Sequence, residues 1–343
     1  MNRPDEIIAP PVKWFPEDWP KLGLGCAPMG ELFDDLSEGD TIDMLNAAWQ
    51  SGVRYFDTAP WYGHGLSEHR LGALLRQHAR SDYLISTKVG RVYDAPPRGA
   101  DARVQWRGGM NFGVRYDYTA SGFEESLAQS RLRLGQPSVD AVVIHDLDQG
   151  YHGDNYDKHI ADLTDSGLKW LHELKQQGQI SAIGIGINAC EDFARLVDWI
   201  DVDFFLVAMP YTLIDQDALT GPMASCEAKG KRIIIGAPFA SGLLTNPADA
   251  NVLYNYAPAS LAIRDKALRI NAVCLRHDVP LMAAALQFPL LHPAVTAVIP
   301  GATTAAQASH NMANSQLLIP ADLWQELKGE GLIHSDAPVE ARA

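Results

Sequence analysis

Cysteine is scarce in this chain: Cys26, Cys190, Cys226 and Cys274 are the only 4 among 343 residues, and no two form a C-x-x-C pair. That spacing signals neither a disulfide framework nor a zinc ribbon, and each thiol reads as a small buried hydrophobe. Positive charge is also short, with 28 Lys and Arg against 42 Asp and Glu and a formal net charge of −14. Polyanions and anionic membranes meet no broad basic patch, so neither nucleic acid nor a membrane is expected as a partner. Long apolar runs are missing: nothing reaches the roughly 18 residues of a membrane span. The first twenty residues carry acids and five prolines where a secretory signal needs an unbroken apolar core. A cytoplasmic location is expected. Missing too is any G-x-G-x-x-G after an early strand, which argues against a doubly wound dinucleotide-binding sheet. Gly23, Gly25 and Gly184, Gly186 form only G-x-G fragments, read as glycines where strands crowd or turn.

What is present is an ordinary globular composition, 47% hydrophobic and 20% charged, enough to bury a core without disulfides or metal. Eight short apolar, β-branched runs recur: 22–26, 53–57, 83–88, 140–145, 181–186, 204–209, 232–236 and 295–299. Helical patterns separate or follow them at 41–51, 67–78, 121–134, 166–177, 190–200, 217–229, a Pro280-broken stretch over 260–288, and 304–314. Ser67 and either Ser121 or Thr119 read as helix caps, and Gly135 as a helix stop. Eight alternating units predict the α/β class and a single closed (β/α)8 TIM barrel over 21–330, with a Pro-rich lead-in over 1–20 and a polar tail over 331–343. Two connections are long and belong at the carboxyl-end face of such a barrel. The one over 90–118 holds Tyr93, Trp106, Tyr116 and Tyr118, and reads either as a lid over an uncharged polar ligand or as a self-packed surface hairpin. The one over 146–165 is acidic and His-rich.

In a barrel of this kind, polar residues at strand carboxyl ends are the catalytic candidates. Asp57 ends the second run, Tyr62 follows in FDTAPWYG, Lys88 ends the third and His145 the fourth. Singly, each has a structural reading: a capping Asp, an amphipathic Tyr, a snorkelling Lys, a hydrogen-bonded core His. Packing does not explain all four at successive strand ends. His145, Asp146, Asp148, His152 and Asp154 are metal-ligand types, but no H-x-H or H-E-x-x-H pair supplies two ligands from one regular element, and no metal is expected.

These segments resemble the aldo-keto reductases over nearly the whole chain, from LGLGCAPMG to IPGATTAAQASHN. GVRYFDTAPWYG with SEHRLGALL is the most specific block, and STK and IHD complete that family's Asp-Tyr-Lys-His tetrad as Asp57, Tyr62, Lys88 and His145. The resemblance implies a barrel that binds an extended nicotinamide dinucleotide. It also implies Asn188 as the carboxamide partner, Gly236 where many members stack a tyrosine, and Ala208 near the place of a usual glutamine. Pro238, Ser241 and Leu243 fall in a pyrophosphate-covering loop, and Gly301, Gln307 and Asn311 line the adenosine end. Many NADP-using members carry Lys and Arg where Gly301 and Gln307 stand, so NAD is expected over NADP. Trp61 and Trp106 are candidate sugar-stacking residues, and Trp61 reads equally as a wall residue.

The chemistry accounts for these residue types. Hydride transfer at a carbinol or carbonyl carbon needs a group that moves the proton on oxygen, a role a phenol fills if a nearby ammonium tunes it. Lys88, held by Asp57, is expected to lower the Tyr62 pKa, and a neutral His145 to orient the substrate oxygen. Within the family the APMGELF, DTAPWYGHGLSE and PYTLI segments most resemble D-threo-aldose 1-dehydrogenases, including L-fucose dehydrogenases. That implies oxidation of an aldose at C1 to the lactone, with Tyr62 as general base. L-galactose dehydrogenases and pyridoxal 4-dehydrogenases are the alternatives, and a nicotinamide-binding regulatory subunit is the non-enzymatic one.

Overall fold

Period-two alternation within each apolar run and helical periodicity between runs build the architecture. The computed structural model describes residue 15, residues 19–32 and residues 34–340. Eight strands pair in chain order: β1 (Leu24–Gly25), β2 (Tyr55–Asp57), β3 (Leu84–Val89), β4 (Ala141–Ile144), β5 (Ala182–Ile187), β6 (Phe204–Val207), β7 (Arg232–Ile235) and β8 (Val295–Val298). Every neighbouring pair is parallel, in registers such as Asp57 with Ser86 and Lys88 with Val143. A parallel bridge from Leu22 to Val298 closes the ring, with Gly23 N–H donating to Val298 O at 3.0 Å and Val298 N–H to Lys21 O at 2.9 Å. The eight-stranded (β/α)8 barrel is therefore the fold.

Inward-facing residues alternate along each strand. Tyr55, Ala141, Val143, Ala182, Phe204, Leu206, Ile234, Ala297 and Ile299 fill the interior, and continuing the same faces by two residues gives Asp57 from Tyr55 and His145 from Val143. Two glycines of the G-x-G fragments make room for this filling. A Cβ on Gly23 would lie 2.6 Å from the Tyr55 ring, and one on Gly184 would overlap the Phe204 ring.

Thr119 caps the helix Ala120–Leu134, accepting from Gly122 N–H, and Gly135 ends it at φ 61°. Ser67 is not a cap: the second helix starts at Leu66, and the Ser67 hydroxyl instead donates to Cys26 O at 2.8 Å. Residues of both flanking segments pack into the core. Trp19, in the lead-in, is buried in the barrel interior against Tyr55, with ring centroids 5.4 Å apart. Beyond the unforeseen helix Ala321–Gly329, the stretch expected as a polar tail buries Leu332, Ile333, Ala337 and Val339 in the main core. Among the described residues, no helix is long and apolar enough to cross a membrane.

Candidate active site

The ends of β2, β3 and β4 bring Asp57, Lys88 and His145 together, and the turn after β2 adds Tyr62. That turn is tight: Gly63, His64 and Gly65 have φ of 65°, 51° and 93°, and a Cβ on Gly63 would strike Gly30 O at 2.6 Å. Lys88 Nζ donates to Asp57 Oδ1 at 2.5 Å and to Thr58 O at 3.0 Å. Ser86 Oγ donates to Asp57 Oδ2 at 2.6 Å. The ammonium sits 4.7 Å from the centroid of the Tyr62 ring, and that ring stands edge-on to His145 at 5.8 Å.

Burial, followed by the charges of Asp57 and Asp146, raises the Tyr62 pKa well above 10. The net direction is therefore upward, opposite to the lowering expected from Lys88: burial and the two carboxylates prevail, while the Lys88 ammonium is paired with Asp57 and faces the ring. Burial holds His145 well below its ordinary 6.5 against the opposing charge of Asp146, so its imidazole is neutral. His145 Nδ1 is enclosed and without a partner among the described residues, which leaves Nε2 to meet a ligand.

The 90–118 connection folds over this site. An antiparallel hairpin, Arg91–Asp94 with Gly113–Tyr116, carries it. Its tip returns to the Tyr62 turn, Met110 N–H donating to Gly63 O at 3.0 Å and Arg107 N–H to Glu31 O at 3.0 Å. His64 is buried beneath it and contacts the Phe112 carbonyl through Nδ1 at 2.8 Å. Trp106 is thereby placed 5.9 Å from Tyr62 and 6.1 Å from Trp61, ring to ring, with its indole N–H buried and without a partner among the described residues. Trp61 is a wall: Arg91 stacks on it at 4.8 Å and His64 lies at 5.4 Å.

The His/Asp-rich stretch is organised by hydrogen bonds. Asp146 takes Arg91 Nη2 at 2.9 Å and Asn188 Nδ2 at 2.9 Å, and its Oδ2 lies 3.3 Å from His145 Nε2. Asp148 accepts from Asn188 N–H at 3.0 Å and Asn188 Nδ2 at 3.0 Å. Burial and then the Asp146 charge push Asp148 up to about 6. His152 Nε2 donates to Asp146 O at 2.9 Å. Among the described residues, no group of three or more His, Cys, Asp or Glu is arranged to hold a metal ion.

Several side chains fit a nicotinamide dinucleotide. With both Asn188 amide hydrogens directed at carboxylates, its Oδ1 is left to accept from a carboxamide. Asn311 donates to Gly301 O at 3.2 Å, and its Oδ1 is buried without a partner among the described residues, an acceptor suited to a purine amino group. Gln307 Oε1 accepts from Thr303 N–H at 2.8 Å, leaving the amide nitrogen as a donor. Ser241 Oγ accepts from Tyr256 N–H at 3.2 Å, and Pro238 is buried in the same loop. Leu243 is fully buried with its N–H bonded to Ala240 O at 3.2 Å, so it supports that loop from inside. A Cβ at Gly301 would press on Pro28 at 2.6 Å, and one at Gly236 would lie 3.0 Å from Leu206. Arg91 and His64 were not singled out from sequence. Each lies in a segment without periodicity and gains its role from a contact distant along the chain.

The Aldo/keto reductase family profile matches residues 21–329. The chain is 37% identical over 320 residues to a D-threo-aldose 1-dehydrogenase of Pseudomonas sp, covering 92% of this chain and 94% of that one. It is 36% identical over 323 residues to a pyridoxal 4-dehydrogenase of Microbacterium luteolum, covering 91% and 94%. The solved aldo-keto reductase AKR11C1 from Bacillus halodurans superposes with a TM-score of 0.71 at 23% identity, over 92% of this chain and 93% of that one, a likeness of fold. With the barrel and the strand-end cluster, these matches place the chain in the aldo/keto reductase family of nicotinamide-dependent oxidoreductases acting on CH–OH groups.

Proposed function

We propose that the protein oxidises the anomeric C–OH of a cyclic aldose of the L-fucose or D-threo type to the aldonolactone, using NAD. The observation that carries this reading is Trp106, folded from the long loop to 5.9 Å from the Tyr62 ring. An aromatic surface beside the reacting group suits a sugar ring, which is apolar on its faces. The 37% identity to a D-threo-aldose 1-dehydrogenase supports it. When bound, an oxidised nicotinamide would supply the hydride acceptor. His145 Nε2 orients the anomeric oxygen, and Tyr62 takes its proton as general base. Lys88 and Asp57 hold the Tyr62 ring in place.

NAD is favoured because residues 301–316 contain no Lys or Arg. A 2′-phosphate would lose solvation there without gaining a cation, whereas a 2′-hydroxyl needs only the neutral Gln307 and Asn311. The partner is then a small-molecule aldose, and the compartment the cytoplasm. A second reading, pyridoxal oxidation, has the 36% identical pyridoxal 4-dehydrogenase in its favour. Steady-state oxidation of an aldose panel and pyridoxal with NAD, followed at the reduced-nicotinamide absorbance band, tests the assignment. A higher kcat/KM for L-fucose-like aldoses is expected, and a higher value for pyridoxal would reverse the order.

A further inference from the structure

Asp146 takes no part in the proton path above, yet the fold works to place its carboxylate. It follows His145 directly, and its φ of 43° is left-handed, unfavourable for a residue with a side chain. That twist turns the carboxylate back alongside the His145 ring, Oδ2 lying 3.3 Å from Nε2. The turn is pinned at both carbonyls: Tyr118 OH donates to His145 O at 2.7 Å, and His152 Nε2 to Asp146 O at 2.9 Å.

Two donors grip the carboxylate from behind, Arg91 on Oδ2 and Asn188 on Oδ1, each at 2.9 Å. Burial pushes the acid up, but the Arg91 charge and the hydrogen bonds from Arg91 and Asn188 hold Asp146 below the usual carboxylate range. The Arg91 side chain is 0% exposed while Asp146 keeps 11% of its side-chain surface open, so the pair turns its negative end outward. A carboxylate accepts about four hydrogen bonds. Arg91 and Asn188 leave room for a ligand donor.

His145 Nδ1 is enclosed, so a reacting oxygen meets Nε2, and the open edge of Asp146 lies beside it. We infer that Asp146 contacts the substrate, accepting a hydrogen bond from the hydroxyl on the carbon next to the reacting one. The site thereby selects α-hydroxy aldehydes and 2-hydroxy cyclic hemiacetals over analogues lacking that hydroxyl. For the sugar ring this rests on the aldose reading; for small α-hydroxy aldehydes it stands without it.

The experiment is a cycle between Asp146 and the hydroxyl. Wild type, Asp146→Asn and Asp146→Ala are assayed with L-fucose and 2-deoxy-L-fucose in NAD-dependent oxidation, and with glycolaldehyde and acetaldehyde in NADH-dependent reduction. The quantity read is the ratio of kcat/KM for the hydroxylated over the deoxy substrate within one preparation, so the folded fraction cancels. A hydrogen bond to a charged acceptor predicts a wild-type ratio that falls about 10- to 100-fold in Asp146→Ala. It predicts a fall of at least about threefold in Asp146→Asn, which decides the matter alone if the alanine variant does not fold. An unchanged ratio would overturn the assignment. If no aldose is oxidised, the aldose reading fails by itself and the glycolaldehyde pair still judges Asp146.

Discussion

The ammonium of Lys88 lies 4.7 Å from the centre of the Tyr62 ring and only 2.5 Å from the Asp57 carboxylate. Facing the ring and paired with an anion, it does not offset the desolvation of the phenol. Tyr62 is therefore a neutral donor, ready to protonate an alkoxide, and acts as a base in oxidation through its small deprotonated fraction.

Replacing Tyr62 by Phe keeps the ring under Trp106 and removes the proton carrier. The expected outcome is a fall in kcat of about 100-fold or more with cofactor affinity nearly unchanged. Turnover kinetics together with cofactor titration by fluorescence check both halves.

The raised phenol pKa sets a direction for pH. Oxidation needs the deprotonated form, whose fraction grows as pH rises toward a pKa above 10. The kcat/KM for oxidation should keep climbing beyond pH 8, while reduction, which uses the neutral phenol, stays level. A flat oxidation profile from pH 7 to 10 would contradict this.

Asp57 and Lys88 are each 1% exposed. Asp57→Asn strands a buried ammonium and should cost about 3 to 5 kcal/mol. Asp57→Asn combined with Lys88→Met removes both charges and should recover part of that loss. Urea unfolding of the three variants separates these outcomes.

Asp148 makes a stability prediction of unusual sign. Its folded pKa of about 6 lies above the ordinary 3.8, so between those values the folded state keeps a proton the unfolded chain gives up. Stability from this residue falls as pH rises from about 4 to 6, by up to about 3 kcal/mol. Asp148→Asn should gain on wild type between pH 4.5 and 7 in urea unfolding, and a constant difference would refute the assignment.

Gln307→Arg introduces a cation at the adenosine end. The kcat/KM ratio of NADP to NAD should rise about 10-fold or more, as a charge-assisted hydrogen bond to phosphate warrants. Steady-state kinetics with both cofactors measure it.

Local pattern sufficed for the barrel and for the tetrad's positions. Each of the eight predicted apolar runs overlaps a barrel strand, and the alternation of faces along a strand carries Tyr55 to Asp57 and Val143 to His145. Tertiary structure alone decided how those groups act. Arg91 reaches Asp146 across 55 positions because β3 and β4 are neighbours whose ends lie side by side, and Trp106 reaches Tyr62 by the path of a loop with no period to read. Trp19 and Leu332 sit in polar-looking sequence and are buried because the barrel offers them apolar surface. The direction of the Tyr62 pKa follows the same logic: residue type supplies an ammonium and a phenol, but their orientation and the depth of burial decide which effect prevails.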